Sequence, residues 1–249
     1  MAAVILSPHL DDAVLSCWHV LTQPGDVEVI TVFAGVPTAL TAPAWWDRYT
    51  GAADSGERVR ERVEEDRSAL ALAGRTAVNL GFLDEQYRGY EQALSPLTEQ
   101  IESLLPLGAR IYAPAAFANH ADQALVRAAA VELRDAGFPV SLYADLPHAT
   151  LHGWPAWVKG ARLAGSRDLA SAFWDHVLAD TSALTPTVHA LDAEAHERKL
   201  AAVRMYRTQL QGLEEFVGRP LTDREALDYE VEWATASPTA AAHREGRHP

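Results

Sequence analysis

Short apolar runs alternate with longer amphipathic ones along most of this chain, and that alternation restricts its fold more than any other feature. Ala3–Leu6 reads as a first strand and Asp12–Leu21 as a short helix behind it. Val27–Phe33, entered through the turn Pro24-Gly25-Asp26, is the clearest second strand. The sequence then predicts a helix over Glu57–Ala73, a strand over Ala77–Leu80, a helix over Glu91–Leu105 and a strand over Arg110–Ala113. A helix over Asp122–Ala136 and a strand over Val140–Asp145 bring the alternation to five strands with a helix between each and the next. Such a rhythm calls for an α/β fold with a mostly parallel sheet flanked by helices.

The rhythm breaks after the fifth strand. Leu146–Thr187 carries Trp154, Trp157, Phe173 and Trp174 among glycines and prolines, and reads as a C-terminal helical/loop excursion that covers part of a site. Ala193–Leu213 is expected to be helical, and Leu221–Trp233 to add a last helix. Residues 1–235 read as one domain and 236–249 as a flexible tail, in which His243 and His248 are not expected to be ligands. Gly35 to Gly56 reads as a loop over the sheet edge, with Trp45 and Trp46 candidate pocket walls, as are Trp154 and Trp157.

The formal charge of −13 argues against nucleic-acid binding, which needs a basic face. Arg58, Arg60 and Arg62 are expected to form a solvated helix face with Glu57, Glu61, Glu64 and Glu65. A single cysteine, Cys17, rules out an intrachain disulfide and a cysteine-rich metal cluster. No apolar run approaches the ~20 residues that span a bilayer, and no basic segment precedes the first apolar run. A cytoplasmic protein with a small-molecule partner and no membrane partner is the expectation.

The chemistry concentrates in Ser7-Pro8-His9-Leu10-Asp11-Asp12, where a buried strand ends and a helix begins. Ligands of open α/β sheets bind at that edge. Three residues apart at a strand-to-helix turn, His9 and Asp12 can converge on one cation, leaving Asp11 as a proton acceptor. Read alone, Asp11 or Asp12 is equally a helix cap beside a core histidine. A second segment, Phe117-Ala118-Asn119-His120-Ala121-Asp122-Gln123, holds the same place after the fourth strand. There His120 can stabilise an oxyanion or protonate a leaving amine, and Asp122 can orient His120 or cap the helix.

These two segments resemble the PIG-L/LmbE-like family of metal-dependent N-deacetylases. Weaker landmarks extend the resemblance to roughly residues 3–235: Arg62-Val63-Glu64-Glu65-Asp66, Gly81-Phe82-Leu83-Asp84, Tyr143-Ala144-Asp145-Leu146-Pro147 and Glu230-Val231-Glu232-Trp233. The resemblance implies a Rossmann-like fold, usually zinc, and hydrolysis of a linear N-acyl amide on an amino sugar or related natural product. It matches His9 and Asp12 to metal ligands, Asp11 to the general base, and His120 to the histidine that steadies the tetrahedral intermediate. The family's third ligand is a histidine three residues further on, where this chain has Gln123.

A glutamine carbonyl is a neutral and weaker donor than imidazole, and it shifts the set toward harder divalent cations. Either Gln123 completes the site, or His148 beyond the fifth strand replaces the missing histidine, or no metal is held. In the last case the protein binds a ligand without hydrolysing it, or performs a different chemistry. Asp84, Arg88, Asp145 and His148 are further candidates for substrate contact, with Asp145 alternatively orienting a ligand histidine. His152, His176 and His189 are expected in structural or surface roles, and His19 at the surface.

Overall fold

A computed structural model of the chain describes residues 1–38, 42–89, 91–117, 120–162, 165–179 and 184–235. The 236–249 tail, and Ala118 and Asn119 of the second motif, lie outside the described residues.

In chain order the elements are β1 (Ala3–Ser7), α1 (Asp12–Ser16), α2 (Trp18–Leu21), β2 (Val27–Thr31), α3 (Trp45–Tyr49) and α4 (Ser55–Ala71). Then come β3 (Ala77–Asn79), α5 (Leu94–Glu102), β4 (Arg110–Pro114), α6 (Ala121–Asp135), β5 (Val140–Tyr143) and α7 (Arg167–Val177). The chain continues through β6 (Pro186–Ala190), α8 (Ala193–Val203), α9 (Leu210–Val217) and β7 (Tyr229–Ala234). The strands form one seven-stranded sheet in the order β3-β2-β1-β4-β5-β7-β6. β1 to β5 run parallel, and β7 lies antiparallel between β5 and β6. The predicted α/β class with a mostly parallel sheet is what the chain adopts.

Val4, Ile5 and Leu6 are wholly buried, as a strand covered on both faces requires. Strand order reverses between β1 and β4, which pair from Ala3↔Arg110 to Ile5↔Tyr112. Crevices at such reversals open beyond the strands' carboxyl ends. The first and second motifs leave β1 and β4 at that point.

Several boundaries differ from expectation for physical reasons. The first helix breaks at Cys17 because the buried Glu230 carboxylate accepts the backbone N–H groups of Trp18 and His19, each at 2.8 Å, and so starts α2 afresh. The long helix over Ala193–Leu213 divides into α8 and α9, with Tyr206 between them donating to Asp66 at 2.7 Å. The last predicted helix is wrong: Tyr229–Ala234 is strand β7, paired with β6, which the sequence pattern did not mark. Its glutamates face neighbours rather than water, and Glu230 meets Lys199 Nζ at 2.5 Å with both side chains fully buried. The Gly35–Gly56 segment carries the short helix α3. Among the described residues no helix is long and apolar enough to cross a membrane.

Candidate active site

A cavity of about 340 Å³ opens at the β1/β4 reversal. His9, Asp11, Asp12, His120 and Gln123 all line it, as do Asp84 and His148. The structure therefore brings both motifs to one wall, although they are far apart in sequence.

His9 sits between two carboxylates. Its Nδ1 lies 3.3 Å from Asp12 Oδ2, and its Nε2 lies 3.2 Å from Asp122 Oδ2. The Asp12 carboxylate also receives the His9 backbone N–H at 2.8 Å, which fixes the turn. Burial opposes a charged His9 ring, but its hydrogen bonds to Asp12 and Asp122 outweigh that and raise its pKa well above the ordinary value. Burial likewise works against the Asp12 and Asp122 charges, and the His9 contacts reverse it, holding both carboxyls below their usual range.

Asp11 behaves differently. Burial, and then the neighbouring Asp12 charge, push its carboxyl up to about 6, against the pull of Arg62 and His9. His120 caps α6 by accepting the Asp122 backbone N–H on Nδ1 at 3.2 Å. Burial and the adjacent His9 lower its pKa, so the ring is neutral with its proton on Nε2. The His9 and His120 rings meet edge to face, with centroids 4.8 Å apart.

Gln123 is buried in the first turn of α6, and its Oε1 has no hydrogen-bond partner among the described residues. An orphaned buried carbonyl on the cavity wall is costly unless something meets it, by about 1–3 kcal/mol. An amide oxygen, an imidazole nitrogen and a carboxylate oxygen, the donor types of Gln123, His9 and Asp12 on this wall, are each ones that divalent cations accept. Donor atoms of His9, Asp84, His120 and Asp122 also gather within 4.8 Å of one another. His148 is outside that group. Its ring packs edge-on against Phe216 at 5.5 Å, and burial, aided by His120 and His9, pushes its imidazole down to about 4. It stands on the cavity wall as a neutral ring.

Other expected site residues are placed elsewhere. Arg88 does not line the cavity: its guanidinium is taken up by Asp122 Oδ1 at 2.5 Å and the Leu83 carbonyl at 2.6 Å. Asp145 is fully buried behind the wall, where both carboxylate oxygens receive the Phe117 N–H, at 2.8 and 3.0 Å, and so hold the chain just beyond β4. Trp154 and Trp157 are not cavity walls; they pack around Trp174, which donates to the Ala149 carbonyl. Trp45 and Trp46 do line the cavity, and Trp46 Nε1 donates to Gln209 Oε1 at 2.7 Å.

The charged face expected on α4 is partly a buried one. Arg60 is exposed, but Arg58 and Arg62 are buried, with Arg58 bonded to Thr50 and Thr208. Arg62 reaches the cavity, 4.0 Å from Asp84 Oδ2, and its charge faces Asp11. Sequence reasoning missed it, along with Gln209 and Phe216 of the α9 region. The spacing of Arg58, Arg62 and Asp66 along one helical face was the available signal.

No known protein-family model matches the sequence. The 2'-N-acetylparomamine deacetylase of Niallia circulans is 27% identical over 250 residues, spanning 85% of this chain and 82% of that protein. The protein of the same name from Streptomyces fradiae is 33% identical over 165 residues, spanning 59% of this chain and 57% of its own length. Among solved structures, the A40926 pseudoaglycone deacetylase superposes with a TM-score of 0.70 at 28% identity, over 95% of this chain and 97% of that one. All three of these similar proteins are named as deacetylases.

Proposed function

We propose that this chain is a metal-dependent N-deacetylase of the PIG-L/LmbE-like kind, removing an acetyl-like group from the nitrogen of an amino-sugar-like natural product. The observation that carries the reading is the meeting of His9, Asp11, Asp12, His120 and Gln123 in one cavity at the sheet's reversal point. The similarity to deacetylases over most of the chain supports the same chemistry.

His9, Asp12 and Gln123 would hold the ion, zinc in the first instance. When bound, a divalent ion supplies Lewis acidity, polarising an acyl carbonyl and lowering the pKa of water toward ~7. Asp11 is the proton acceptor: its raised pKa makes it a better base than a solvated carboxylate while leaving it ionised at neutral pH. It can return that proton to the departing amine nitrogen. His120 presents an Nε2–H donor to oxygen as negative charge develops there. Arg62, 4.0 Å from Asp84 Oδ2, places a positive charge that faces Asp11 across the site. Trp45, Trp46 and Phe216 supply apolar walls against which a sugar face can rest.

The test is Asp11→Asn in the zinc-loaded protein. Deacetylation of an N-acetylated aminoglycoside should fall by about 10²–10⁴-fold, with zinc content unchanged. Normal turnover would remove Asp11 from the base role. The neutral donor Gln123 also raises a non-hydrolytic reading; a protein that stays metal-free after dialysis against zinc, yet binds the acetylated sugar intact, would favour it.

A further inference from the structure

A second group of ligating side chains lies outside the cavity. One donor atom each from His19 on α2, His189 on β6 and Glu232 on β7 lies within 4.8 Å of the others. None of the three lines the cavity. The surface role expected for His19 does not hold, because its side chain is only 9% exposed.

The surroundings of His19 prepare it for a ligand. Its Nδ1 lies 2.6 Å from Glu230 Oε2. The Glu230 carboxylate also receives the Trp18 and His19 backbone N–H groups, each at 2.8 Å, and Lys199 Nζ at 2.5 Å, so donors surround it and it acts as an acceptor. His19 must therefore carry its proton on Nδ1, and in the neutral ring Nε2 is a bare lone pair. That Nε2 is buried and has no hydrogen-bond partner among the described residues. A carboxylate behind the first nitrogen and a free second nitrogen is the arrangement that orients metal-ligating histidines.

Glu232 repeats the pattern. Its Oε1 is 3.4 Å from His189 Nε2, while its buried Oε2 has no partner among the described residues. An ion-pair cluster that served packing alone would leave two such atoms unmet, at a cost. A shared cation meets both. The His19 and His189 rings are stacked, with centroids 3.7 Å apart and planes at 16°. The in-plane lone pairs of two near-parallel rings do not converge on one ion, so His189 must turn out of the stack to share it. Its side chain is 29% exposed on the edge strand, which leaves room for that turn.

We propose that His19, His189 and Glu232 form a divalent transition-metal site that staples edge strand β6 and strand β7 to α2. Two imidazoles and one carboxylate are a donor set suited to zinc, with water completing the tetrahedron from the exposed side. The site does not depend on the chemistry of the cavity.

The test is zinc titration by calorimetry of the full chain carrying His9→Ala, which disables binding in the cavity, with and without His189→Ala. The first protein should bind one equivalent that the second lacks, and zinc should raise the Tm of the first alone. Glu232→Gln should weaken binding by at least about tenfold while leaving the strand pairing intact. Equal stoichiometry and affinity with and without His189 would overturn the proposal. Zinc-edge anomalous diffraction from a zinc-soaked crystal gives an independent answer: a peak about 2.1 Å from His19 Nε2 supports the site, and zinc found only in the cavity overturns it.

Discussion

Asp122 Oδ2 lies 3.2 Å from His9 Nε2, while its Oδ1 takes the Arg88 guanidinium at 2.5 Å. The same carboxylate accepts the Glu85 backbone N–H at 2.9 Å. One buried side chain thus gathers the segments that follow β1, β3 and β4 into a single cavity wall. Asp122→Asn leaves Arg88 charged and buried without its counter-charge. Loss of one partner from such a pair costs about 3–5 kcal/mol, so urea denaturation should show a lower midpoint. An unchanged midpoint would show that Asp122 does not bind the segments together.

Gln123 offers the cavity a neutral oxygen where an imidazole would be a stronger zinc ligand. Gln123→His should tighten zinc binding by at least about tenfold, read by competition with a chromophoric chelator. Gln123→Ala should weaken it. If neither substitution changes zinc affinity, the third donor is another residue, and His148 is the next to exchange.

Gly35 shows how closely the β3 segment approaches. A Cβ there would stand 2.5 Å from the Gly81 carbonyl oxygen and 2.7 Å from that of Phe82, and both obstacles are backbone. The Gly35 N–H also donates to Phe82 O at 2.9 Å. Gly35→Ala should push 81–84 outward and carry Asp84 away from Arg62. A lower kcat/KM with an intact far-ultraviolet circular dichroism spectrum is expected; unchanged kinetics would mean that Asp84 tolerates displacement.

The parts of the fold and site that could be read from sequence were those encoded locally. A strand buried on both faces must be an apolar run, and Val4-Ile5-Leu6 announces itself. His9, Asp11 and Asp12 are neighbours in sequence, so their shared location follows from one turn. Arg62 escaped because its helix is dense in charge, and burial of a guanidinium depends on Asp11 and Asp84 arriving from other segments. β7 escaped because Glu230 and Glu232 read as solvent-facing, whereas Lys199 and the α2 backbone neutralise and hold Glu230 inside. Gln209 and Phe216 enter the cavity wall only through packing of α9, which no local pattern encodes.

Asp66 gives the protein a pH dependence of stability that can be separated from catalysis. Burial first, against the Tyr206 hydrogen bond, pushes its carboxyl up to about 7. In the unfolded chain an aspartate titrates near ~3.9. Between those values the folded state holds a proton on Asp66 that the unfolded state has released. Stability therefore falls as pH rises: the contribution is fully present below about 4 and is lost by the time the pH has passed through about 7. The limiting slope is about 1.4 kcal/mol per pH unit. In Asp66→Asn the amide oxygen still accepts from Tyr206 but cannot ionise, so urea midpoints measured from pH 4.5 to 8 should decline less steeply than in the wild type. Parallel profiles for the two proteins would mean that Asp66 ionises in the folded state as readily as in the unfolded chain.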